Sequence, residues 1–218
     1  MNRQRLFIYA YLAAGLIVLA ILIALTMAFP PTLSHLLPAL LFCGLLAFTD
    51  AFGVRLPAGV VSLLPMTAVA AYLVMGLVPA GWAAFVGTFI YGWVRAQWAE
   101  ALNFPPPRDR LRFLALLSIN ATMHAGSILV GGTIFQALGG ALPFGGITTT
   151  GLLPLVGLGL AYLAFNHLVA GVVIGTRSRS ELKGYVRSLP RLLFYEGGFF
   201  FNDTATTEIY TRLGVLQF

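Results

Sequence analysis

Apolar residues fill long unbroken runs along this chain, and polar residues collect in short segments between them. A helix crossing a hydrocarbon core of about 30 Å needs roughly 20 mainly apolar residues. Six such runs stand at residues 6–27, 34–52, 60–77, 80–98, 113–138 and 151–175, and a seventh begins at Leu192 and is cut short at Asn202. Hydrocarbon offers no partner to free backbone N–H and C=O groups, so spans are helices or closed barrels, and these runs lack the alternation of barrel strands. The pattern predicts an all-α polytopic membrane bundle with six complete transmembrane helices and a truncated seventh. The first run exceeds a signal-peptide core and lacks a small-x-small cleavage site before Pro30, so it is expected to remain as an anchor. A tight turn is expected at Val78 and Pro79, making the third and fourth helices a hairpin.

Composition agrees with the pattern. Of 218 residues 59% are hydrophobic and only 9% charged, with a mean hydropathy of +0.89, whereas soluble domains carry about 25% charged residues. The net charge of +6 would suit nucleic acid, but the basic residues sit at the ends of apolar runs, where they set topology instead. Lipid is the expected partner, and nucleic acid is not. The single cysteine, Cys43, leaves no disulfide framework, CxxC pair or thiolate zinc site.

Positive flanks stay on the cytoplasmic side. Arg3 and Arg5 precede the first run, Arg55 separates the second and third, and Arg95, Arg108, Arg110 and Arg112 border the fourth and fifth. Arg177, Arg179, Lys183, Arg187 and Arg191 follow the sixth, while the alternate connections at 28–33, 78–79 and 139–150 hold no Lys or Arg. All of these cations share one side when the N-terminus is cytoplasmic. Trp82, Trp93 and Trp98 near the ends of the fourth run suit interfacial belts. Asp50 and Arg55 read as turn and topology residues.

Polar residues inside spans are costly and usually face the bundle interior. Asn120, His124 and Ser127 lie at i, i+4 and i+7 on one stripe of the fifth run, and Tyr162 with Asn166 forms a second stripe on the sixth. Both stripes reach mid-membrane depth and so could meet, either as a ligand-sensing pocket or as interhelical hydrogen bonds, the latter being the default. His124 and His167 have no carboxylate or third imidazole at metal-ligand spacing in sequence, so they read as packing histidines. No metal and no cofactor is implied. Gly171 and Gly175 form a GxxxG, which serves intramolecular packing or, alternatively, a homodimer. No HExxH, GxSxG or P-loop occurs, so the chain is not expected to be an enzyme.

Several strings are distinctive in order. Arg55-Leu56-Pro57-Ala58-Gly59-Val60-Val61-Ser62-Leu63 is followed by Gly76 and Pro79, by the Asn120 helix ending in Gly139-Gly140, and by Ala161-Tyr162-Leu163-Ala164-Phe165-Asn166-His167. A basic amphipathic stretch and Leu192-Leu193-Phe194-Tyr195-Glu196 come next. From about residue 36 to 198 this order resembles the integral-membrane sensory domain found upstream of bacterial HD-GYP and GGDEF signalling modules. The resemblance implies a multi-pass sensor in the bacterial inner membrane, probing through the bilayer for a C-terminal cytoplasmic effector that is absent from this chain. The rival from another class is a small multi-pass transporter or substrate-capture subunit, whose outward pocket the Gly- and Thr-rich loop 139–150 would supply.

Polarity changes abruptly at Asn202. The decapeptide Asn202-Asp203-Thr204-Ala205-Thr206-Thr207-Glu208-Ile209-Tyr210-Thr211 resembles the in-frame translation of a constant adapter oligonucleotide from sequencing libraries. The chain is therefore divided into a sensor-like membrane domain at 1–198, incomplete at its C-terminus, and a non-native tail at 199–218; the alternative for the tail is a genuine polar segment with an Asn-x-Thr sequon.

Overall fold

In a computed structural model that describes residues 3–51, 54–56, 59–61, 63–97, 109–144 and 149–201, the apolar runs fold as helices of unequal length. Helix α1 is Arg3–Ala28 and α2 is Leu36–Ala51, introduced by a 3-10 turn at Leu33–His35. Strands β1 (Val54–Leu56) and β2 (Gly59–Val61) follow, then α3 (Leu64–Met75), α4 (Leu77–Gln97), α5 (Arg110–Ala137), α6 (Thr149–Arg177) and α7 (Arg179–Phe201). Among the described residues, four helices are long and apolar enough to cross a membrane: α1, α4, α5 and α6. The other two expected spans are shorter apolar helices.

The third run shortens for a local reason. Val54 pairs with Val61, Arg55 with Val60 and Leu56 with Gly59 in an antiparallel hairpin, so the residues expected to open the span are extended instead. Helix begins at Leu64, with Pro65 in the first turn, where a missing N–H costs nothing. It stops at Gly76, whose φ of 84° is open to glycine and strained for a residue with a Cβ. At 12 residues α3 is about 18 Å long. The break between α3 and α4 is therefore Gly76, and Val78 and Pro79, expected as the turn, lie in the first turn of α4. Asp109 caps α5 by accepting from the N–H groups of Leu111 (2.9 Å) and Arg112 (3.4 Å), satisfying donors that a helix start leaves free.

The seventh run also differs from expectation. Leu192 does not open a new span; it continues α7, which passes through Pro190 and carries four cations on its exposed side. The tail at 202–218 lies outside the described residues, as do the side chains of Asp50, Arg55 and Trp98.

The core sits where α3, α4, α5 and α6 meet, with α1 and α2 laid against α5 and α4. Tyr72 is fully buried, donates to the carbonyl of Gly132 at 2.9 Å, and meets Phe135 edge-on at 5.5 Å between ring centroids. Small residues bring the backbones close: a Cβ on Gly87 would stand 2.8 Å from the Cys43 carbonyl oxygen, and one on Gly131 would stand 2.9 Å from that of Leu158. Such contacts replace the hydrophobic drive that helices lack in lipid. Large apolar side chains such as Leu16, Leu37 and Leu168 cover the outside of the bundle, the surface a bilayer solvates. Trp82, expected in an interfacial belt, donates from Nε1 to the Thr26 hydroxyl at 2.8 Å.

Candidate functional site

Helices α5 and α6 are neighbours along most of their length, and the two expected polar stripes fall on them. His124 and Tyr162 are buried and bonded, with Nδ1 3.1 Å from the phenol oxygen. Ser127 is also buried, but its hydroxyl donates to the Met123 carbonyl of its own helix at 2.6 Å. Asn166 is buried at 9% exposure, whereas Asn120 is exposed, and no hydrogen bond joins the two among the described residues. Of the five residues singled out by spacing, the structure thus joins His124 to Tyr162 and leaves Asn120 outside the contact. Thr122 adds a buried hydroxyl with no hydrogen-bond partner.

A second polar cluster lies one residue beyond Asn166. Tyr185 and Glu196 are 11 residues apart on α7, three helical turns, and so share a face. Both reach His167 on α6: the Tyr185 hydroxyl lies 2.6 Å from Nδ1, and a Glu196 carboxylate oxygen lies 2.9 Å from Nε2. The side chains of His167 and Glu196 are only 10% and 11% exposed. Burial, and then the nearby Glu196 carboxylate, push the Tyr185 phenol up to about 12, so it keeps its proton. The phenol thus engages Nδ1 while the carboxylate engages Nε2. The ring is thereby used at both nitrogens, which fixes its orientation.

The GxxxG of α6 makes room for this clasp. A Cβ on Gly171 would lie 3.7 Å from the Tyr185 ring, and one on Gly175 would lie 3.1 Å from Leu182, so both glycines face α7 of the same chain. Between the N-terminal end of α1 and the α6–α7 pair runs an apolar groove of about 840 Å³, with His167 and Tyr185 in its wall. The Tyr11 hydroxyl, bonded to Thr176 at 2.5 Å, ties α1 to the same end of α6.

The partners of His167 were not visible in sequence because they lie 18 and 29 residues away on another helix. One signal was present: Glu196 directly follows the apolar string Leu192-Leu193-Phe194-Tyr195. No group of three His, Cys, Asp or Glu side chains able to hold a metal occurs among the described residues. Comparison with known proteins finds no matching family model, no matching curated protein and no matching solved structure.

Proposed function

We propose that the chain is a membrane-embedded sensory input domain of a bacterial signal-transduction protein, related to cyclic-di-GMP signalling and set in the inner membrane. Its N-terminus and α7 face the cytoplasm, and six crossings, two of them the short helices α2 and α3, place the α6–α7 junction on that side. The single observation that carries the proposal is the clasp of His167 by Tyr185 and Glu196, which couples a spanning helix to a basic amphipathic helix. Five residues earlier on the same helix, Tyr162 holds His124 of α5. A shift of α6 against α5, driven by any ligand that prefers one packing, moves His167 and therefore α7. The quoted sequence resemblance supports the same function. The transporter alternative needs a pocket at the outer loop 139–150, of which residues 145–148 lie outside the described residues.

A chimera joining residues 1–198 to a diguanylate cyclase catalytic domain tests the coupling. Glu196→Gln and Tyr185→Phe should change cyclic-di-GMP output relative to the native clasp at equal membrane abundance. Identical output from all three would overturn it.

A further inference from the structure

Helix α7 is amphipathic in an unusual environment. Arg179, Lys183, Arg187 and Arg191 recur every four residues and are all exposed, forming a cationic row that winds slowly around the helix. The opposite side, with Leu182, Leu189 and Leu192, packs toward the bundle. Between row and bundle lie Val186 and Leu193, which are partly exposed and form one lip of the 840 Å³ groove. At 100° per residue, Arg179 and Lys183 are the row members nearest that lip. The other lip belongs to α1, where Phe7 lines the groove.

We propose that this groove binds one acyl chain of an anionic phospholipid, with the headgroup phosphate held by Arg179 and Lys183 of α7. The volume lies within the roughly 300–1,000 Å³ of sites that enclose small ligands. The lining is apolar except for His167, Tyr185 and Thr176, and all three are already committed to partners within the chain, through the Tyr185–His167 bond and the Tyr11–Thr176 bond. Nothing in the groove therefore recognises a polar ligand body, whereas Arg179 and Lys183 flank its α7 lip. Basic pockets between spanning helices have the chemistry to select anionic headgroups. A zwitterionic lipid supplies the same chain but lacks the net charge that the mouth selects.

The test uses the full chain reconstituted in phosphatidylcholine bilayers, with spin-labelled phosphatidylglycerol or phosphatidylcholine as probe and the motionally restricted fraction as readout. Phosphatidylglycerol should be preferred, and Arg179→Gln with Lys183→Gln should lower that preference by about fivefold for each cation removed. Val172 lines the groove and is 56% exposed, so Val172→Trp fills it without disturbing the core. This variant should lose the restricted phosphatidylglycerol. Equal restriction of both lipids by the native chain would overturn the proposal. So would a preference that survives Val172→Trp, which would mean attraction to the basic surface alone. Loss of preference in inorganic phosphate but not in chloride of equal ionic strength would assign the mouth to a soluble phosphate ligand and also overturn it.

Discussion

Nε2 of His167 donates to the carboxylate of Glu196 at 2.9 Å, across 29 residues of chain and from one helix to another. Two consequences follow from the depth of that pair. Its members are about nine-tenths buried, and a carboxylate so placed persists only where it is paired. Its removal also loosens α7, because Glu196 and Tyr185 both bond to His167 of α6.

Breaking one side of the pair should be worse than removing both. His167→Leu leaves Glu196 buried and unpaired, and a loss of about 3 kcal/mol is expected. Adding Glu196→Leu to His167→Leu should restore much of it. Thermal unfolding of the four proteins in one detergent checks this, and strict additivity of the two single changes would show that the pair contributes no coupling.

Alkaline pH should loosen the clasp through Tyr185. Its folded value of about 12 lies above the ordinary 10, so the group favours folding in its protonated form. That contribution is complete below pH 10 and is lost as the pH climbs through 12. Tyr185→Phe should therefore remove part of the alkaline fall in stability. Superimposable falls for the native chain and the variant would contradict it.

The two polar stripes give a sharper contrast. A double-mutant cycle on His124→Ala and Tyr162→Phe should give a coupling of roughly 0.6 to 1.7 kcal/mol, the range of hydrogen bonds between spanning helices. Asn120→Leu and Asn166→Leu should instead add to within about 0.5 kcal/mol, since Asn120 is exposed and unbonded to Asn166. Coupling between the asparagines would place Asn120 inside the bundle.

Helical periodicity and charge made much of this legible in advance. The runs at 6–27, 80–98, 113–138 and 151–175 are the four long apolar helices to within a few residues, because window hydropathy measures what a bilayer selects. The same measure is blind to backbone geometry. Val60 and Val61 counted toward a span, yet they pair across the Leu56–Gly59 loop as a strand. Within the polar stripes, spacing placed His124 and Tyr162 on facing helices, but Asn120, on the same face of α5 and one turn nearer its start, is exposed, because spacing along one helix does not say where its neighbour stops covering it. The His167 clasp was hidden for a different reason: its three members come from two helices, and no local spacing encodes a tertiary crossing.

Orientation has its own check. In a Cys43→Ala background, Ser34→Cys and Thr148→Cys should react with a membrane-impermeant thiol reagent added to intact cells, and Ser178→Cys should not. Labelling at Ser178 would reverse the topology and move α7 outside.

The sensory function is tested most directly by reading the coding sequence of the locus from Leu192 to its stop codon. Residues 202–211 should be absent from the natural frame, and the frame should continue into an HD-GYP or GGDEF coding region. A frame that reproduces residues 202–211 unchanged, or that stops after the membrane domain with no effector, would contradict it.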